Sequence, residues 1–205
     1  TYLHTMLNAN LRLSSEERQL LLDERFILTK RTILQKTEQL FGQLSETFRQ
    51  HVLARKIDEE TFMQWTPKIA RGENYHGLPW IMMDYPRLFT RSEVCAIRCF
   101  FWWGRYCSIT LQVSGLYQER FQQSIIDFLK KEKDTGWLVS IGDDPWQHVI
   151  DADHYQSADH FETLLLEQSS RPFLKIAKKI PLEQWDELDH FFESNFVALL
   201  SILAR

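Results

Sequence analysis

Tyr106-Cys107-Ser108-Ile109-Thr110-Leu111-Gln112-Val113-Ser114 is the most regular stretch of the chain. Cys107, Ile109, Leu111 and Val113 alternate with Ser108, Thr110 and Gln112, which predicts a strand with one buried and one wet face. Strands of a fully parallel α/β sheet are covered on both faces and read as unbroken apolar runs, so the alternation points to an antiparallel sheet. Gly115 closes the strand. A helix is predicted over 116–133, with Phe121, Ile125, Phe128 and Leu129 on one face and Lys130, Lys131 and Lys133 in the last turn, where they favour the helix dipole.

Further strands are expected on both sides of this unit. Leu78 to Tyr85 reads as one, ended by Pro86, and the polar stretch Arg71 to Gly77 before it reads as a loop. Strand 137–141 follows Gly136, and Trp146 to Ile150 is expected to pair back on it across the turn Gly142-Asp143-Asp144-Pro145. Pro172 to Lys179 reads as a strand as well. Helices are expected at four more places. Thr90-Arg91-Ser92-Glu93 has the form of a capping box opening a short helix through Val94, Ile97 and Phe101. Asp58 caps a short helix stopped by Pro67, and Ser157 caps another to about Gln168. Pro181 suits the first position of a final helix, where Trp185, Leu188, Phe192, Phe196, Leu199 and Leu203 follow i+3/i+4 spacing.

Ser14-Ser15-Glu16-Glu17 starts the N-terminal helical segment, 14–56, as a capping side chain followed by acids. Ile27, Leu34, Phe41 and Phe48 recur every seven residues, giving one long amphipathic helix or two with a break near Asp23. The stripe lacks ordered charge pairing beside it and stops short of four heptads, so it reads as a docking face rather than a coiled coil. The fold class is therefore α+β: a mainly antiparallel sheet of four or five strands in 57–205, helices packed on one side, and a long N-terminal helix that clasps the core or a second subunit, all in a single domain over 1–205.

The bulk composition excludes several classes. The 205 residues contain 44% hydrophobic and 25% charged residues, with 7 Gly and 6 Pro, which is neither a collagenous nor a disordered composition. A net charge of −4 and a pI near 6.0 lack the basic footprint of a nucleic-acid binder. The longest apolar run, Phe196 to Ala204, is interrupted by Ser201 and falls well short of the roughly twenty residues of a membrane span. No stretch has the form of a secretory signal, so the expectation is a cytoplasmic protein that binds neither nucleic acid nor membrane. Cys95, Cys99 and Cys107 include no C-x-x-C pair and are expected to be reduced thiols packed as small hydrophobes.

Two segments carry residues suited to chemistry. From Asp134 to Ser170 there are eight acids and no Lys or Arg, with His148, His154 and His160 among them. Imidazole and carboxylate together suit a divalent transition metal, so His148, Asp151, Asp153, His154, Asp159 and His160 are the candidate ligands of a metal-dependent hydrolase. Their spacing matches no established metal motif such as H-E-x-x-H, and acids at a helix start have a structural use of their own.

The second segment, 74–106, interleaves arginines with Tyr75, Trp80, Tyr85, Trp102, Trp103 and Tyr106. Guanidinium groups recognise carboxylate or phosphate in two-pronged fashion, and aromatic faces stack on flat ligands. Tyr75, His76, Asp84, Arg87, Trp102, Trp103, Arg105 and Tyr106 are accordingly the candidate ligand-binding residues. Asp84 and Arg87, flanking Tyr85-Pro86, either orient a ligand or pair with each other. No nucleophile elbow or glycine-rich phosphate loop is present. The leading expectation is a non-catalytic domain, without cofactor, that binds a small anionic or aromatic molecule or a protein partner. The metal-dependent hydrolase is the alternative, and a homodimer through the N-terminal helix is a third reading.

Overall fold

The computed structural model describes residues 11–55, 66–158 and 171–204. The helices expected after Asp58 and beyond Ser157, together with Asp159 and His160, lie outside the described residues. The chain groups into two compact units, Thr1–Thr37 and Glu38–Arg205.

In the first unit, Ser14 closes a full capping box with Glu17 and starts helix α1, Ser15–Leu22. Helix α2, Glu24–Ala54, begins one residue after α1 ends. The break falls at Asp23, whose carboxylate accepts the backbone N–H groups of Arg25 (3.0 Å) and Phe26 (3.3 Å). Of the two readings of this segment, the one with a break is correct.

The second unit is α+β. Its sheet has strands β1 (Lys68–Tyr75), β2 (Leu78–Phe89), β3 (Val94–Trp102), β4 (Tyr106–Ser114), β5 (Leu138–Ser140), β6 (Tyr155–Ser157) and β7 (Phe173–Pro181). Their spatial order is β1-β2-β3-β4-β7-β5-β6, and every pairing is antiparallel. Helices α3 (Leu116–Lys131) and α4 (Leu188–Leu203) pack on β3, β4 and β7. They cover a face formed by Ile81, Met83, Cys95, Ile97, Cys99, Phe101, Cys107, Ile109, Leu111, Val113 and Ile176, all buried. The C-terminal half of α2 joins this core by its sevenfold repeat. Phe48 stacks on Phe196 at 3.6 Å between ring centroids, and Phe41 meets Phe192 edge-on at 5.4 Å.

Seven strands stand where four or five were expected, for identifiable reasons. The polar run at 71–77 is an edge strand, β1, joined to β2 by the two-residue turn His76-Gly77. Both turn residues have positive φ (51° and 79°), as a tight hairpin of this hand requires. Thr90 and Glu93 do bond as in a capping box, with the Glu93 N–H donating to Thr90 Oγ1 at 3.0 Å, but that contact closes the β2–β3 turn instead of starting a helix. β3 is buried on both faces, so apolar residues occur at every spacing and Val94, Ile97 and Phe101 mimic a helical one. Cys95 and Cys99 are therefore strand residues. All three thiols are free and buried.

Three local expectations are also corrected. Trp146 to Ile150 forms no strand, and β5 pairs with β6, whose last residue is Ser157, and with β7. Pro181 ends β7 and is followed by a 3₁₀ turn, Leu182–Glu187, before α4. The side of β4 expected to be wet is dry: Ser108, Thr110 and Gln112 are 2%, 5% and 6% exposed.

Candidate functional site

The side of the sheet away from the helices carries its polar chemistry in rows set by register. One row runs Lys68, Asp84, Arg98, Thr110, Ala177 from β1 to β7, and another runs Arg87, Ala96, Gln112, Lys175 from β2 to β7. Across this side lies residues 141–154, an irregular strap, which accounts for the dryness of β4.

The strap contributes backbone groups and the sheet holds them. Lys175 Nζ donates to the carbonyls of Pro145 (3.0 Å) and Gln147 (2.6 Å), and Lys179 Nζ to that of Ile150 (2.9 Å). Tyr106 Oη donates to His148 O at 2.9 Å and accepts the Ile150 N–H at 2.8 Å. Tyr75 Oη accepts the His148 N–H at 2.8 Å and donates to the Gln147 side chain. Arg171 donates to the carbonyls of Ile141 and Gly142. A loop without regular structure must satisfy its backbone groups somehow, and here long side chains from the sheet take that role.

Burial governs the ionisable groups between the strap and the sheet. It pushes Lys175 down to about 7, aided by the nearby Arg98 charge. It pushes His148 down to about 2, again with Arg98 and then Lys175 opposing a further positive charge. His148 is thus a neutral imidazole packed 4.8 Å from the Phe100 ring. Its Nε2 faces Arg98 Nη1 at 3.1 Å and accepts a hydrogen bond from it. Arg98 also grips Asp84 with two nitrogens, Nε to Oδ1 at 2.6 Å and Nη2 to Oδ2 at 2.8 Å. Both partners are largely buried.

Beside the strap, over β1, β2 and β3, is a cavity of about 240 Å³ lined by Lys68, Ala70, Met82, Asp84, Arg87, Phe89, Arg98 and Trp146. Asp84 and Arg87 reach it together because β2 carries an irregularity between them. Asp84 pairs with Arg98 and Arg87 with Ala96, so one extra residue sits on β2, around the cis Tyr85–Pro86 peptide. Arg87 Nε donates to Thr66 O at 3.0 Å, and Asp84 pairs with Arg98, not with Arg87. Phe89 and Trp146 approach to 5.8 Å between rings, and the Arg98 guanidinium lies 5.9 Å from the Phe89 ring. The wall therefore offers three cationic side chains against one carboxylate, with two aromatic rings.

The eight ligand-binding candidates thus divide. Asp84 and Arg87 line the cavity. Tyr75, His76, Trp102 and Tyr106 form an aromatic cluster at the β1–β2 hairpin end, with Tyr75 and Trp102 rings 5.2 Å apart and Trp102 and Tyr106 rings 5.6 Å apart. Trp102 is buried, and its indole N–H donates to Tyr75 O at 3.1 Å. Arg105 lies 5.5 Å from the Trp102 ring, while Trp103 meets Phe101 edge-on at 6.4 Å. Of these, Tyr75 and Tyr106 hold the strap, and none of the six lines the cavity. Lys68, Phe89, Arg98 and Trp146 complete its wall. Their signal in the sequence was strand parity, readable only with β1, β3 and the irregularity in β2 known.

The metal candidates among the described residues, His148, Asp151, Asp153 and His154, do not converge. His148 is enclosed with Arg98 and Lys175, whose charges oppose a cation there. His154 Nδ1 pairs with Asp151 at 2.6 Å on the exposed side of the strap, where the Asp151 carboxylate also accepts the Asp153 N–H. Among the described residues no three His, Cys, Asp or Glu side chains form a metal-binding group. Among the same residues no helix is long and apolar enough to cross a membrane. No protein-family model matches the chain, and no curated protein or solved structure is detectably similar to it.

Proposed function

We propose that this protein binds a small planar anion, an aromatic carboxylate or an aromatic phosphate monoester, in the cavity beside the strap. The observation that carries the reading is the composition of that wall: Lys68, Arg87 and Arg98 against the single carboxylate of Asp84, with Phe89 and Trp146 beside them. Arg98 has committed nitrogens to Asp84 and His148, so it acts as a fixed positive charge. Together with Arg87 and Lys68 it makes the wall positive toward an anion, whose flat part the two rings flank. At about 240 Å³ the space falls below the roughly 300 Å³ where pockets for drug-sized ligands begin. It suits one ring system with one anionic substituent, not a dinucleotide. Nothing on the wall resembles a nucleophile with an adjacent base, which favours binding over catalysis.

Thermal-shift and calorimetric titration with benzoate and phenyl phosphate as probes tests the reading. Saturable stabilisation is expected with at least one of them. Replacing Arg87 with Gln removes a charge-assisted contact and is expected to weaken binding by roughly 10- to 100-fold, as the loss of about 1.5–3 kcal/mol implies. Binding by neither probe, or undiminished binding by the Arg87→Gln variant, overturns the proposal.

A further inference from the structure

The first unit carries an apolar surface with an unusual internal order. Leu11, Leu13, Leu20, Leu21, Leu22, Phe26, Ile27 and Leu28 are all exposed, Leu21 and Leu22 by 72% and 78%. Single exposed apolar side chains are ordinary, but eight within eighteen residues form a surface that marks an interaction site. The sequence at its centre is Leu20-Leu21-Leu22-Asp23-Glu24-Arg25-Phe26-Ile27-Leu28, two apolar triads placed evenly about Glu24. Charge is ordered about the same point. From Ser14 to Glu24 there are four acids, Glu16, Glu17, Asp23 and Glu24, against one arginine, whereas Arg25 to Thr37 holds Arg25, Lys30, Arg31 and Lys36 and no acid.

A surface that is acidic at one end, basic at the other and apolar in the middle complements itself when turned end to end. A parallel copy would set acids against acids and bases against bases, at a cost for every like pair. An antiparallel copy about Glu24 brings Glu17 toward the partner's Arg31 and Asp23 toward the partner's Arg25, with exposed leucines between them. Such a contact is isologous, the same patch used by both partners around a two-fold axis. We infer that the partner of this surface is a second copy of the chain, docked antiparallel with the two-fold axis near Glu24. The charge order along α1 and the start of α2 supplies the direction, and exposed apolar side chains on both sides of Glu24 supply the buried area.

Sedimentation equilibrium on the full chain is expected to give a concentration-dependent dimer. The double substitution Leu21→Glu, Ile27→Glu is expected to return the monomer mass with an unchanged helical circular-dichroism signal, because both side chains are exposed. Direction is read separately by cysteine crosslinking. Glu24→Cys lies at the axis and is expected to form a covalent dimer on mild oxidation, whereas Arg12→Cys, far from it, is not. The native thiols are buried and do not compete. A monomer at every concentration, a dimer untouched by the double substitution, or crosslinking at Arg12 in place of Glu24 overturns the inference. A monomer that partitions onto anionic vesicles does so too, and assigns the patch to a membrane surface instead.

Discussion

Asp84 and Arg87 are three residues apart, a separation that sends two side chains of an unbroken strand to opposite faces. The extra residue between them reverses that outcome and brings both to one cavity. Asp84 then has a structural duty beside any role toward a ligand, because its two oxygens answer a guanidinium that is itself largely buried. Removing one partner of such a pair leaves an uncompensated charge. Asp84→Ala is therefore expected to destabilise the fold by about 3–5 kcal/mol, measured by urea unfolding, while Asp84→Ala combined with Arg98→Met recovers most of the loss. A single-variant loss within about 0.5 kcal/mol, the range of ordinary surface changes, would show that the pair contributes little. Gly72 is fixed by similarly local geometry: a Cβ there would sit 2.6 Å from the Trp80 ring, so the indole lies across β1 only because no side chain opposes it.

At the scale of elements, the strap decides how the polar side of the sheet behaves with pH. His148 ionises near 6.5 in an unfolded chain and at about 2 on the buried side of the strap, because burial and then the Arg98 and Lys175 charges disfavour its cation. A group whose folded value is depressed gives stability that is complete above the unfolded value and is lost as pH falls toward the folded one. The strap is thus expected to loosen progressively below pH 6.5. Lys175, lowered from 10.5 to about 7, adds stability as pH rises from about 7 toward 10.5, by the same sign. Hydrogen exchange at the His148 and Ile150 amides, followed from pH 7 to pH 4 and corrected for intrinsic rates, checks the acid limb. Protection should fall in the wild type and change less in His148→Gln, which keeps a hydrogen-bonding side chain without the titration; equal profiles would remove His148 as the cause. None of this was visible along the chain. Ser108, Thr110 and Gln112 read as a wet face because a strand reports its own alternation, not what a loop thirty residues later lays over it. The break at Asp23 and the single-faced helix after Gly115 were legible, since capping and periodicity are local properties.

For the molecule as a whole, charge asymmetry was the clearest long-range signal in the sequence, and its meaning lies in the assembly of the second unit. The segment without Lys or Arg that begins at Asp134 includes the strap, and the cations that meet the strap, Arg98, Arg171, Lys175 and Lys179, come from outside that segment. Of the histidines and acids that resembled metal ligands, His148 lies on the buried side of the strap and Asp151 and His154 on its exposed side. The Arg-aromatic stretch likewise resolves into two places, because β2 and β3 carry its residues at both ends of one hairpin. Trp102 and Tyr106 belong to the end that anchors the strap, and Asp84 and Arg87 to the end that leaves a cavity. Composition foretold the types of residue at the site, and only register separates those that share space from those that do not. Uptake of an aromatic anion by that cavity is the property on which the proposed function depends. Side-chain NMR of the Arg87 Nε–H and Trp146 indole N–H signals during titration with phenyl phosphate tests it most directly. Saturable shifts of both signals, with the Trp102 indole signal unmoved, are the predicted result; shifts absent from both, or centred on Trp102, would contradict it.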